Sequence, residues 1–177
     1  MAEPAVTQLA DREPGIAIHW RAFELRPYPV PTLAPDSDYL NKAWQEHVYP
    51  LAEKSGFTMK QPPLQPRTRL AHAAAKWAAD NGRFAAFNIA LFKAFFQNGQ
   101  DIGKLEILAH IAQELHLDPH ALAHESQLDV YVDRVLNDQE SARQADVRAV
   151  PAFVANGRVL AAGVQSLEQL QRLITIG

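Results

Sequence analysis

Residues Asp146–Gln165, DVRAVPAFVANGRVLAAGVQ, narrow the possible folds more than any other stretch of this sequence. Two apolar runs, Val150–Ala155 and Arg158–Val164, meet at Asn156-Gly157. A type I′ turn needs φ > 0 at both central residues, which Asn-Gly tolerates, so the runs are predicted to form a β-hairpin. Val150-Pro151 opens the first strand, where a missing N–H removes no central ladder bond. Ser166–Ile176 follows with helical apolar spacing. The sequence contains no cysteine at all. Disulfides, thiolate catalysis and zinc–sulfur sites are therefore excluded for these residues.

Composition removes further classes. Apolar residues make up 47% of the 177, enough for a core, and charged residues 21%. A net charge of −3 gives no basic footprint for nucleic acid. No run approaches the length of a membrane span. The start, MAEPAVTQLADREPG, has neither a basic n-region nor an apolar h-region, so a cytoplasmic protein is expected. No cofactor and no metal are implied.

Along the chain, Glu3–Arg12 reads as a short helix closed by Pro14-Gly15. Ile16–Phe23 alternates well enough for a strand. Arg26–Pro35, RPYPVPTLAP, must be extended and reads as a linker. The predicted helices are Asp38–Ser55, Thr68–Asn81, Arg83–Gln97, a helix N-capped by Asp101 and running to Leu115, Pro119–His124 and Leu128–Gln144. Arg83–Gln97 is apolar on several sides and is expected at the centre of the helical part. The predicted domains are 1–35, a helical insertion over 36–145, and 146–177.

In this order the residues resemble the DsbA-like thioredoxin proteins, in the FrnE-type branch that includes 2-hydroxychromene-2-carboxylate isomerases. The carriers are His19–Leu25 (HWRAFEL), Thr68–His72 (TRLAH), Leu91–Phe96 (LFKAFF) with Gln100-Asp101-Ile102, and Val147–Val154 with Gly163. The resemblance implies an α/β thioredoxin-like fold with a large all-helical insertion, in which Val150-Pro151 is cis. It also implies a first strand carrying Cys-x-x-Cys to the start of the first helix. Here Glu3–Val6 matches that helix downstream of the dithiol, so the fold is expected to be N-terminally truncated. That first strand would lie between Ile16–Phe23 and Ala152–Ala155. Its place is closed by those two strands, or filled by a second subunit in a homodimer, or belongs to a longer natural protein. The serine of the isomerases has no counterpart before Ser37.

The candidate substrate-binding residues are Ala149, Val150, Pro151 and His72. A cis-proline leaves the preceding backbone able to pair with an extended peptide, although the same turn serves folding alone. His72 shares a helix face with Lys76 and Asp80, where a proton-transfer role weighs less than a satisfied interdomain histidine. His116, His120 and His124 fall at i, i+4, i+8, but Pro119 belongs in a first turn, so they read as surface histidines and not metal ligands. Three functions follow. One is a DsbA/FrnE-like disulfide oxidoreductase relative, redox-inert without cysteine and with no catalytic residue to name. The second is a cysteine-free module binding a peptide or small ligand in the inter-domain groove. The third is a relative of the glutathione-dependent isomerases.

Overall fold

The computed structural model describes Met1–Ile176, which form two compact units. The first joins Met1–Leu25 to Asn137–Gly177, and the second is Arg26–Leu136. The sequence reading places the joins at 35/36 and 145/146 instead. The later boundary, between Leu136 and Asn137, falls inside helix α7, Asp129–Gln144, which crosses it unbroken. Residues in its second half bind the N-terminal segment.

The second unit is helical. α2 (Asp38–Ala43) and α3 (Tyr49–Lys54) are continuous through a wide π turn over Trp44–Val48. Pro50 accounts for the widening. Its ring would meet the Glu46 carbonyl in a regular helix, and the Tyr49 N–H reaches back five residues to the Trp44 carbonyl instead. Trp44 is buried, with Tyr49 and Phe96 against its ring.

α4 (Arg69–Asp80) is the most enclosed helix of this unit. Ala71, Ala73, Ala74, Ala75, Trp77 and Ala78 are all buried. Alanine lets neighbouring backbones approach on several sides, and α5 (Phe84–Phe96), α6 (Leu105–Glu114) and the 3₁₀ turn Glu125–Leu128 all pack on it. α5, expected at the centre, buries only Phe87, Leu91 and Ala94. Its Ile89 and Phe92 are 42% and 51% exposed. Asp101 does not cap α6, whose N-cap is Lys104; its carboxylate accepts the Gly103 N–H at 3.0 Å and shapes the turn before the helix. Pro119–His124 is shorter than expected, a 3₁₀ turn over Pro119–Leu122 with Asp118 accepting the His120 N–H. The loop after Arg26 is held by Arg67, which donates to the Arg26 and Val30 carbonyls at 2.7 Å each.

In the first unit α1 (Glu3–Arg12) packs on α8 (Leu167–Ile176). Val6, Leu9 and Leu170 are the buried centre, with Ala5, Ile18, Phe153, Leu167, Leu173 and Ile174 around them. Ser166 starts α8 with a reciprocal cap: its Oγ accepts the Gln169 N–H and its N–H donates to Gln169 Oε1. β1 (Ala152–Ala155) and β2 (Arg158–Ala162) form an antiparallel pair. The turn has φ of 50° at Asn156 and 73° at Gly157, as the dipeptide predicts.

Ile16–Phe23 is not a strand. Among the described residues no ladder runs along it; the Ala22 N–H goes to the Asp138 side chain of α7 and the Ile16 N–H to the Glu13 carbonyl. It is still extended in character. Sheltered and open side chains alternate through Ile16, Ala17, Ile18 and His19, and again from Arg21 to Leu25.

Candidate functional site

The site is built in the first unit from two lengths of backbone. One is the start of the hairpin. Ala149 and Val150 are exposed, Val150 at 44%, and the Val150–Pro151 peptide is cis. The Pro151 carbonyl accepts the Gly163 N–H at 2.8 Å. Bonding groups alternate sides along a strand, so Phe153 also faces β2 while the amides of Ala152 and Val154 face the opposite edge. Among the described residues no strand lies on that edge. Val154 is 48% exposed, and β1, AFVA, has no charged residue.

The second length is Ile16–Glu24, and α7 fixes its direction. Asp138 is only 2% exposed. One of its oxygens accepts from Arg21 Nη1 at 2.9 Å and the other from the Ala22 N–H at 2.8 Å. Gln139 then pairs with Glu24 on both sides: its Oε1 accepts the Glu24 N–H, and its Nε2 donates to the Glu24 carbonyl, each at 2.9 Å. A helix side chain thus makes the two bonds that a residue on a neighbouring strand would make. The amides of Ala22 and Glu24 face α7, so those of Arg21 and Phe23 face the other way.

Sequence reasoning placed Arg21 to Glu24 in a recognisable segment and missed Asp138 and Gln139. Nothing local marks them, because their partners lie more than a hundred positions away. Of the predicted site residues, Ala149, Val150 and Pro151 stand together at the start of β1. His72 belongs to the other unit, half-buried on α4. Asp80, on the same helix, accepts from Arg134 at 2.7 Å. Burial, then the Asp80 charge beside it, holds the Tyr131 phenol above its ordinary pKa. His116, His120 and His124 are all exposed, and His116 lies outside the helices with φ of 59°. Among the described residues no three histidine or acidic side chains gather into a metal-binding group. No helix there is long and apolar enough to cross a membrane.

A hairpin followed by a helix, joined to an N-terminal helix across one apolar cluster and interrupted by a helical unit, has counterparts among known proteins. The DSBA-like thioredoxin domain matches residues 1–175. The chain belongs to the DsbA-like thioredoxin family. It is similar to the uncharacterised Bacillus subtilis protein YwbO, 33% identical over 160 residues, covering 87% of this chain and 80% of YwbO. The probable DsbA oxidoreductase of Streptomyces coelicolor has the same fold, with a TM-score of 0.77 at 22% identity over 98% of this chain and 80% of its own. A provisionally named protein disulfide isomerase of Nitrosomonas europaea aligns at 0.70 and 14% identity, over 98% and 87%. The α/β thioredoxin-like reading of the sequence stands, with most of the chain helical and one two-stranded sheet among the described residues.

Proposed function

We propose that this DsbA-like protein, in its FrnE-type branch, holds an extended polypeptide along the outer edge of β1, a binding role for which these residues need no thiol. The observation that carries the reading is that β1 has β2 on one edge and, among the described residues, no strand on the other, toward which alternation turns the Ala152 and Val154 amides beside the exposed Val150 and Val154 side chains. Backbone donors and acceptors in a row are met best by another extended chain, and flanking apolar side chains set its preferences. These residues have no cysteine, so no mixed disulfide forms on them.

A peptide of alternating valine and threonine, flanked by lysines, is the probe. It should raise the melting temperature in proportion to the logarithm of its concentration above Kd. Val154→Pro removes one outward N–H at an edge position that tolerates proline. It should leave the unliganded melting temperature within a few degrees while weakening peptide binding roughly threefold to tenfold, the worth of about one backbone hydrogen bond. Unchanged peptide affinity in a folded Val154→Pro protein would overturn edge capture.

A further inference from the structure

We propose that Asn156-Gly157, at the tip of the β1–β2 hairpin, is a site of covalent modification: the asparagine deamidates through a cyclic imide, and isoaspartate formed there unlocks the hairpin. The inference needs only the turn and stands whether or not β1 captures a peptide. Asparagine is thermolabile because its side-chain carbonyl carbon comes within reach of the next backbone nitrogen. The Gly157 nitrogen attacks Asn156 Cγ and a C–N bond forms. The side-chain nitrogen leaves as ammonia, taking the Gly157 amide proton with it. Water then opens the imide at either carbonyl, giving aspartate or isoaspartate and a new carboxylate. Glycine in the following position leaves the attacking nitrogen unshielded, since it carries no Cβ.

Three Asn-Gly steps occur in the sequence, at 81–82, 98–99 and 156–157, so the dipeptide alone does not choose among them. Hydrogen bonding does. The attacking atom is an amide nitrogen that has lost its proton, and an N–H engaged with a carbonyl must first give up that bond. The Gly82 N–H donates to the Ala79 carbonyl at 2.9 Å and the Gly99 N–H to the Phe95 carbonyl at 3.2 Å, just past the ends of α4 and α5. Asn81 is held a second time, because its side-chain nitrogen donates to the Trp77 carbonyl at 2.9 Å. Gly99 is crowded, and a Cβ there would stand 3.0 Å from Pro63 Cδ. Gly157 is placed otherwise. It lies in the two-residue loop between paired Ala155 and Arg158, and among the described residues its N–H donates to no carbonyl. Both loop residues are exposed, and beyond its chain neighbours no heavy atom lies within 4 Å of where a Gly157 Cβ would stand.

The consequence follows from the backbone. A type I′ loop holds β1 and β2 in register with φ > 0 at both central positions, here 50° and 73°. Isoaspartate routes the chain through its side-chain carbon, which lengthens the loop and removes that geometry. The pairs next to the turn, Ala155 with Arg158 and Val154 with Val159, lose their constraint first. Aspartate, the other product, keeps the ordinary backbone and tolerates the left-handed region.

Trypsin puts the three sites on separate peptides, 77–83, 94–104 and 149–158. The full chain is aged in mildly alkaline buffer, folded or in urea, and each peptide is followed by mass spectrometry. In the folded chain 149–158 should deamidate roughly tenfold faster than the other two, since each of those must first break a hydrogen bond. In urea the three rates should converge. Equal rates in the folded chain, or a lead that persists in urea, would overturn the assignment. Hydrogen exchange then compares the isoaspartyl fraction, separated by chromatography, with the parent and with Asn156→Asp. Faster exchange across β1 and β2 is expected in the isoaspartyl protein alone. Equal protection in all three would overturn the unlocking, and exchange as fast in Asn156→Asp would assign the effect to charge and overturn it as well.

Discussion

Asp138 shows what one buried carboxylate does when both oxygens are used. It holds the Arg21 side chain and the Ala22 amide, and its own exposure is only 2%. Asp138→Ala would leave a buried N–H without its acceptor, a loss of about 1–3 kcal/mol. Asp138→Asn keeps one acceptor oxygen and should fall between that variant and the parent. Urea unfolding measures the difference, and an Ala variant as stable as the parent would refute the anchoring role. Glu140, one residue beyond Gln139, gives a test of charge. Hydrogen bonds from Arg143 and then Gln144 bring its carboxyl down to about 2 from an ordinary value near 4.5. A carboxylate depressed on folding favours the native state fully above its unfolded pKa. That contribution is lost as the pH falls from about 4.5 toward 2. The pair is exposed, so salt weakens it. NMR titration of Glu140 should show a midpoint near 2 that returns toward the ordinary range in Arg143→Ala.

At the level of elements, α4 and α5 reverse the roles their side chains suggest. Aromatic content marked α5 for the centre, yet its helix buries only one stripe, Phe87, Leu91 and Ala94. α4 takes the enclosed position because a helix lined with alanine can be approached from several directions. Periodicity gives which residues share a face; it does not say how many neighbours a helix will have, and that is where the sequence reading fell short. Ala74→Leu should therefore cost about 1–3 kcal/mol through overpacking, while Phe92→Gln stays within about 1 kcal/mol. Thermal or urea unfolding of the two variants decides the ranking. Gly103→Ala is a third test at the same scale. Its Cβ would stand 2.8 Å from the Arg67 carbonyl, closer than a carbon and a carbonyl oxygen can sit, so the turn must shift. The hairpin was legible because Asn156-Gly157 specifies its own dihedral angles. Ile16–Phe23 was not, because alternation reveals an extended chain but not what pairs with it.

At the scale of the whole chain, a member of the DsbA-like thioredoxin family has no cysteine in these 177 residues. Its melting temperature should be the same in dithiothreitol and in oxidised glutathione, measured by calorimetry; a shift between the two would point to a redox-sensitive group outside these residues. Family and fold were readable because short motifs keep their order along most of the chain. The candidate site was readable only in part, since Val150-Pro151 advertises itself while Asp138 and Gln139 act on residues far away in sequence. The division of the first unit between Met1–Leu25 and Asn137–Gly177 has a consequence for synthesis. Val6 and Leu9 leave the ribosome more than a hundred residues before their partner Leu170. Arg26–Leu136 can settle while the nascent helix α1 still waits, exposed to chaperones, for the segment that covers it.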